Sequence, residues 1–158
     1  MQVIEKIISN FTNNKSLYIG EKVTMSEHMI QTAMLAEKAK CNDELVELNI
    51  DGHHENIAYE YLKSFFKKEV VDPIKYHVLA KRYLANDKKY FNLLSEASKT
   101  SLELQGGVLN SEERAKFEAQ EYFKSSILLR KFDEAAKKTD IKMKSIHDYQ
   151  KLLSSKLI

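Results

Sequence analysis

Val3, Ile4, Ile7, Ile8 and Phe11 recur at helical spacing before the chain turns polar at Thr12-Asn13-Asn14, which predicts an amphipathic first helix. Tyr18-Ile19-Gly20-Glu21 reads as a loop. Thr24-Met25-Ser26-Glu27 then has the Thr-x-x-Glu form of a capping box, opening a helix that carries His28 and continues through Met29, Ala33 and Ala36 to Cys41-Asn42-Asp43. Glu44 to Ile50 is short and ambiguous, and Asp51-Gly52 is turn chemistry. From His54 the apolar positions Ile57, Tyr61, Leu62 and Phe65 are helical again. Asp72-Pro73 reads as a helix start, with Asp as N-cap and Pro at the first helical position. The helix expected there sets His77 and Lys81 four residues apart on one face. Further helices are expected over Glu96–Gln105, ended by Gly106-Gly107, after a cap at Ser111-Glu112-Glu113, over Ile127–Lys137 and over Ile146–Leu157. The whole of 1–158 reads as one all-α, single-domain helical bundle of roughly seven or eight helices.

Composition supports that class. Four glycines and one proline in 158 residues are too few turn formers for an all-β chain. Basic and acidic residues, 25 against 23, are mixed along the chain, so they read as solvated helix faces and give no reason to expect nucleic acid or a membrane as partner. The single cysteine, Cys41, excludes an internal disulfide framework and suits a reducing compartment. The N-terminus lacks a signal-type apolar run, and nothing approaches the ~18 apolar residues of a membrane span. The expectation is a cytoplasmic protein.

The five histidines are His28, His53, His54, His77 and His147. Taken singly, such residues are more often surface or core groups than ligands. His28, His54 and His77 each fall on or at the start of a different helix, so a bundle could bring them together, and imidazole with carboxylate suits iron, manganese or zinc. Asp133, beside Phe132 within a helix, is the candidate carboxylate; the alternative is an exposed acid between Lys131 and Lys137. Lys81 could serve an anionic substrate or be a surface lysine. Ser98, Ser101 and Gln105 could hydrogen-bond phosphoryl oxygens or simply face solvent.

Several segments are more specific as strings. Tyr18-Ile19-Gly20-Glu21-Lys22-Val23-Thr24 followed by Glu27-His28-Met29-Ile30-Gln31-Thr32-Ala33 resembles the opening of the HD-domain oxygenases of organophosphonate catabolism. His77 to Leu84 is similar to their "HVxAKRYL" helix. Leu94 to Ser98, then Ser101 to Gly107, resembles their "LSxAS…SLxxQGG" element. Arg130 to Lys137 is similar to "RxWDxAAK", with Phe132 in the Trp position. The resemblance implies a mixed-valence centre of two iron ions that uses dioxygen to oxidise a 1-hydroxyalkylphosphonate, a small-molecule substrate, breaking the carbon–phosphorus bond and releasing phosphate. It implies His28 and Asp133 as ligands of one iron and His54 and His77 as ligands of the other. By the same resemblance Lys81, Ser98, Ser101 and Gln105 hold the phosphonate or lie near it, and Tyr18 and Glu21 belong to a loop that covers the site.

The chain departs from the family between His28 and His54. There the family has a helix ending in "LLHDxGH" and a loop leading to "HE", whereas Leu45 runs straight through to His54-Glu55. The one His-Asp pair, His147-Asp148, lies near the C-terminus, in the wrong place. We read the junction between 42 and 54 as the place of a missing segment, an expectation that unbroken Cα steps of about 3.8 Å through it would overturn. Two other functions stand beside the oxygenase: an HD-type metal-dependent phosphohydrolase, and a metal-poor relative without catalysis.

Overall fold

The computed structural model describes residues 2–13, 15–18, 20–41 and 55–158, with the side chains of 55–58 excepted. The expected junction between 42 and 54, and with it His53 and His54, lies outside the described residues.

Among the described residues the helices run in the order α1 (Gln2–Asn13), α2 (Met25–Lys38), α3 (Glu55–Leu62), α4 (Lys68–Lys75), α5 (His77–Leu84), α6 (Lys88–Leu93), α7 (Glu96–Leu104), α8 (Ser111–Glu118), α9 (Phe123–Ala135) and α10 (Gln150–Ser155). A 3-10 turn, Ile146–Tyr149, leads into α10. The only extended pairing among these residues is two isolated bridges, Leu17 to Thr24 and Phe66 to Leu157. The protein is all-α, and no described helix is long and apolar enough to cross a membrane.

The predicted caps form where local chemistry alone suffices. Thr24 accepts from the Glu27 amide at 3.2 Å while Glu27 accepts from the Thr24 amide at 2.7 Å, the reciprocal capping box. At the end of α7, Gly107 N–H donates to Leu102 O and Gly106 N–H to Glu103 O, at 2.9 and 3.1 Å. This Schellman arrangement needs the positive φ of Gly106, +97°.

The ten helices among the described residues exceed the expected seven or eight, for two reasons. First, α6 is a six-residue helix with no apolar period to announce it; Asp87 starts it by accepting from the Lys89 amide at 2.7 Å. Second, the chain bends at Tyr76 and so divides the segment around Pro73 into α4 and α5. Pro73 is therefore not a first helical residue. It is the sixth residue of α4, whose N-cap is Lys67, and Asp72 is buried and paired with Lys68 at 3.4 Å. A proline forfeits one hydrogen bond there, but Val70, Val71 and Ile74 are buried around it and hold the helix in place. The cap of α8 is likewise Asn110, one residue before the expected Ser111, again in a capping box with Glu113.

The main core gathers apolar faces of α1, α2, α4 and α9 with the C-terminal turn and α10. The long helix α9 packs most extensively against α2 and α5. Its Leu129 is fully buried in that core, while Arg130 and Asp133 are buried on an adjacent face. A second cluster is aromatic: Phe117 lies 5.0–6.1 Å from the rings of Tyr76, Tyr83 and Phe123, tying α5 and α8 to the start of α9. Arg82 of α5 donates to Gly107 O at 2.9 Å and to Glu113 at 3.0 Å, which fixes the end of α7 against α5. Helices α2, α5, α7 and α9 are thus set around one polar interior.

Candidate functional site

That interior is built on Asp133. Its side chain is 0% exposed and each carboxylate oxygen faces a different imidazole: Oδ1 lies 2.7 Å from His28 Nε2 of α2, and Oδ2 lies 3.6 Å from His77 Nε2 at the first turn of α5. The alternative of an exposed acid is thereby corrected; α9 turns Asp133 inward because its stripe continues the buried face of Leu129 and Arg130. His28 is held at its other nitrogen by Ala136 O, 2.7 Å from Nδ1. A carbonyl only accepts, so Nδ1 carries a hydrogen and Nε2 is the atom left for the site. Tyr18 stacks on the same ring, centroids 4.2 Å apart and planes 9° from parallel.

Arg130, 2% exposed, reaches into the middle of this group. Its Nη1 donates to Asp133 Oδ2 and, at 3.1 Å, to His77 Nε2; its Nη2 donates to Glu134, and its Nε to the Tyr90 hydroxyl at 3.0 Å. A guanidinium has no acceptor, so His77 Nε2 presents its lone pair to it. Burial by itself would raise the Asp133 pKa, but the adjacent Arg130 charge and the hydrogen bond to His28 hold it well below the usual carboxylate range. The carboxylate is ionised.

A second polar group adjoins the first. Lys137, one turn beyond Asp133, lies 2.9 Å from Glu134 and 3.1 Å from Glu21, and donates to Ser98 and Ser95 at 3.1 and 3.3 Å. Lys81, buried on α5, donates to Ser101 at 2.8 Å. Gln105 Oε1 is buried with no hydrogen-bond partner among the described residues. Of the expected substrate residues, Lys81 and Ser101 thus meet across α5 and α7, while Ser98 faces Glu134 and Lys137; the expected loop residues Tyr18 and Glu21 reach His28 and Lys137. Five contributors were not singled out from the sequence: Tyr90, Ser95, Arg130, Glu134 and Lys137. Arg130 and Glu134 share a helical stripe with Asp133, and Lys137 follows just past the end of α9, a spacing that marks them as neighbours once Asp133 is known to face inward.

The donor set suits a transition-metal ion. Two imidazoles and a carboxylate are good ligands for iron, manganese or zinc. Ligands with bonds of ~2.1 Å stand about 3.0–3.4 Å apart around one ion, within the span of the 2.7 and 3.6 Å separations seen here. Among the described residues no three such groups already surround one point; the Arg130 guanidinium reaches between them. His54, expected as a further ligand, lies outside the described residues.

No family model matches the chain. Individual relatives do. A 1-hydroxy-2-(trimethylamino)ethylphosphonate dioxygenase (glycine-betaine-forming) from Leisingera caerulea is 41% identical, over 78% of this chain and 74% of its own length. A hydroxymethylphosphonate dioxygenase from Gimesia maris is 34% identical, over 84% of this chain and 77% of its own. An uncharacterized protein of Acanthamoeba polyphaga mimivirus is 33% identical, over 95% and 83%. The first alignment runs over 145 positions yet takes in 78% of the 158 residues here, so that relative carries residues with no counterpart in this chain.

Proposed function

This chain belongs to the phosphonate-catabolism HD-domain oxygenases, and from that premise we propose that it cleaves the carbon–phosphorus bond of a 1-hydroxyalkylphosphonate with dioxygen, in the cytoplasm, using iron. The reaction balances with both atoms of dioxygen entering products: the carbinol carbon becomes a carboxylate, phosphorus becomes phosphate, and one proton is released. The observation that carries the reading is the buried meeting of His28 and His77 on Asp133, next to the Lys81–Ser101 pair.

In this reading His28 and Asp133 hold one iron, and His77 with His54 the other. Bound iron supplies the electron exchange with dioxygen that no side chain provides. The protein's own part is to position and to shield. The Ala136 carbonyl keeps His28 turned with Nε2 toward Asp133. Lys81 offers a compact positive charge to the phosphonate, and the Ser98, Ser101 and Gln105 face of α7 offers hydrogen bonds to its oxygens. Tyr18, lying flat on His28, excludes water from that side of the centre.

The test is anaerobic loading with ferrous iron, metal analysis, and dioxygen uptake with a panel of 1-hydroxyphosphonates. Two irons per chain, dioxygen consumption and matching phosphate release are expected. Phosphate-ester hydrolysis that needs no dioxygen would refute the oxygenase reading in favour of a phosphohydrolase.

A further inference from the structure

We infer that Arg130 is a built-in competitor of metal: its guanidinium donates to His77 Nε2 and Asp133 Oδ2, lone pairs that the bound ions would take, so metal loading and Arg130 exclude one another at those atoms. The inference rests on the reading that His28, His77 and Asp133 bind metal, and adds a residue that regulates their loading.

Three features point this way. The guanidinium is always charged and always a donor, so its bond to Nε2 consumes the one lone pair His77 offers on that side. It is 2% exposed, so it neutralises Asp133 without help from water. It also has a second berth, since Nε is bonded to Tyr90 at 3.0 Å and Nη2 to Glu134. Because the guanidinium is one planar unit, freeing His77 and Asp133 means moving the whole group, with Tyr90 and Glu134 as the partners that stay beside it. The arrangement satisfies a buried carboxylate, and it sets a like charge against an incoming ion.

The sign of the effect separates this role from simple bracing. A residue that only held His77 and Asp133 in position would weaken metal binding when removed. A competitor, when removed, strengthens it. The experiment compares wild-type protein with Arg130→Met and Arg130→Gln, using Mn2+ as a redox-inert probe. Affinity is read by competition with a chelator and the thermal shift at saturation, with folding checked by circular dichroism. The expected result is at least tenfold tighter Mn2+ binding in the variants, with a larger metal-induced rise in Tm, although the metal-free variants melt lower. Equal or weaker binding in a folded variant overturns the inference, as does absence of Mn2+ binding by wild type and variants alike.

A measurement on wild-type protein needs no variant to fold. The guanidinium N–H resonances of Arg130 should move during a Zn2+ titration in step with site occupancy; resonances that stay in place at saturation overturn the inference. Neither measurement uses catalysis. A chain that shows the Arg130 effect but consumes no dioxygen with hydroxyphosphonates keeps this inference and sinks the oxygenase reading.

Discussion

Replacing Gly20 by alanine puts two separate penalties on the loop that carries Tyr18 and Glu21 to the site. The first is conformational: Gly20 has φ +77°, where an L-residue with a Cβ is disfavoured by roughly 1–2 kcal/mol. The second is steric. A Cβ at this position would come within 2.6 Å of Ala97 Cβ near the start of α7, too close for two carbons, and that methyl has no rotamer by which to retreat. Forcing extra volume into a packed contact costs about 1–3 kcal/mol. Together the two predict a loss of roughly 2–5 kcal/mol, or about 4–20 °C in Tm at the ~2–4 °C per kcal/mol usual for domains of this size. The partner change Ala97→Gly removes the clash and leaves the φ penalty, so the double variant should recover about 1–3 kcal/mol relative to Gly20→Ala. Urea denaturation of all four proteins closes the cycle. Fluorescence of a probe at the loop, or the KM for substrate, reports whether Tyr18 and Glu21 keep their places. If Ala97→Gly adds its own effect without any rescue, the loop is not seated on α7 as described and the packing argument fails.

The remaining predictions concern the site and the core. Asp133→Asn leaves Arg130 buried beside a neutral amide; breaking a buried pair typically costs ~3–5 kcal/mol, and the variant should also lose metal binding, both readable by melting with and without Mn2+. The depressed Asp133 pKa gives stability that is present above the ordinary carboxylate value of ~3.9 and is lost as pH falls toward the lower folded value. The gap between metal-free wild type and Asp133→Asn should therefore narrow on acidification below about pH 4, and a gap that widens there would contradict an ionised Asp133. Phe117→Ala, which removes the centre of the aromatic cluster on α5 and α9, should cost about 3–5 kcal/mol in chemical denaturation. Lys137→Met should loosen the loop by freeing Glu21, seen as faster proteolysis near 18–22 with little change in Tm.

Much of the architecture was legible because it is local. The Thr24–Glu27 box, the stop at Gly106-Gly107 and the apolar stripe of α1 depend on residues within a turn or two of each other, and they appear as the spacing predicts. The order of the matched segments likewise named His28, His54, His77 and Asp133 as a set, and the structure brings His28 and His77 together on Asp133. Where local signals misled, tertiary packing was the stronger term: Asp72-Pro73 has the letters of a helix start, yet burial of Val70, Val71 and Ile74 carries α4 through it.

What the sequence by itself determined, then, is the helical class and most element positions; it also named the residues proposed to bind metal and phosphonate. Only the tertiary structure decided how those residues are charged and satisfied. Nothing in the string between 130 and 137 says that Asp133 is fully buried, that Arg130 enters between it and His77, or that Lys137 spans from α9 to Glu21 and to Ser98. Except for the Arg130–Asp133 pair within α9, these relations join residues tens of positions apart, and helix periodicity does not say which stripe will be buried or which distant partner will face it. The low-dielectric interior does decide it, because an ionised carboxylate there must find a cation, and the fold brings it Arg130.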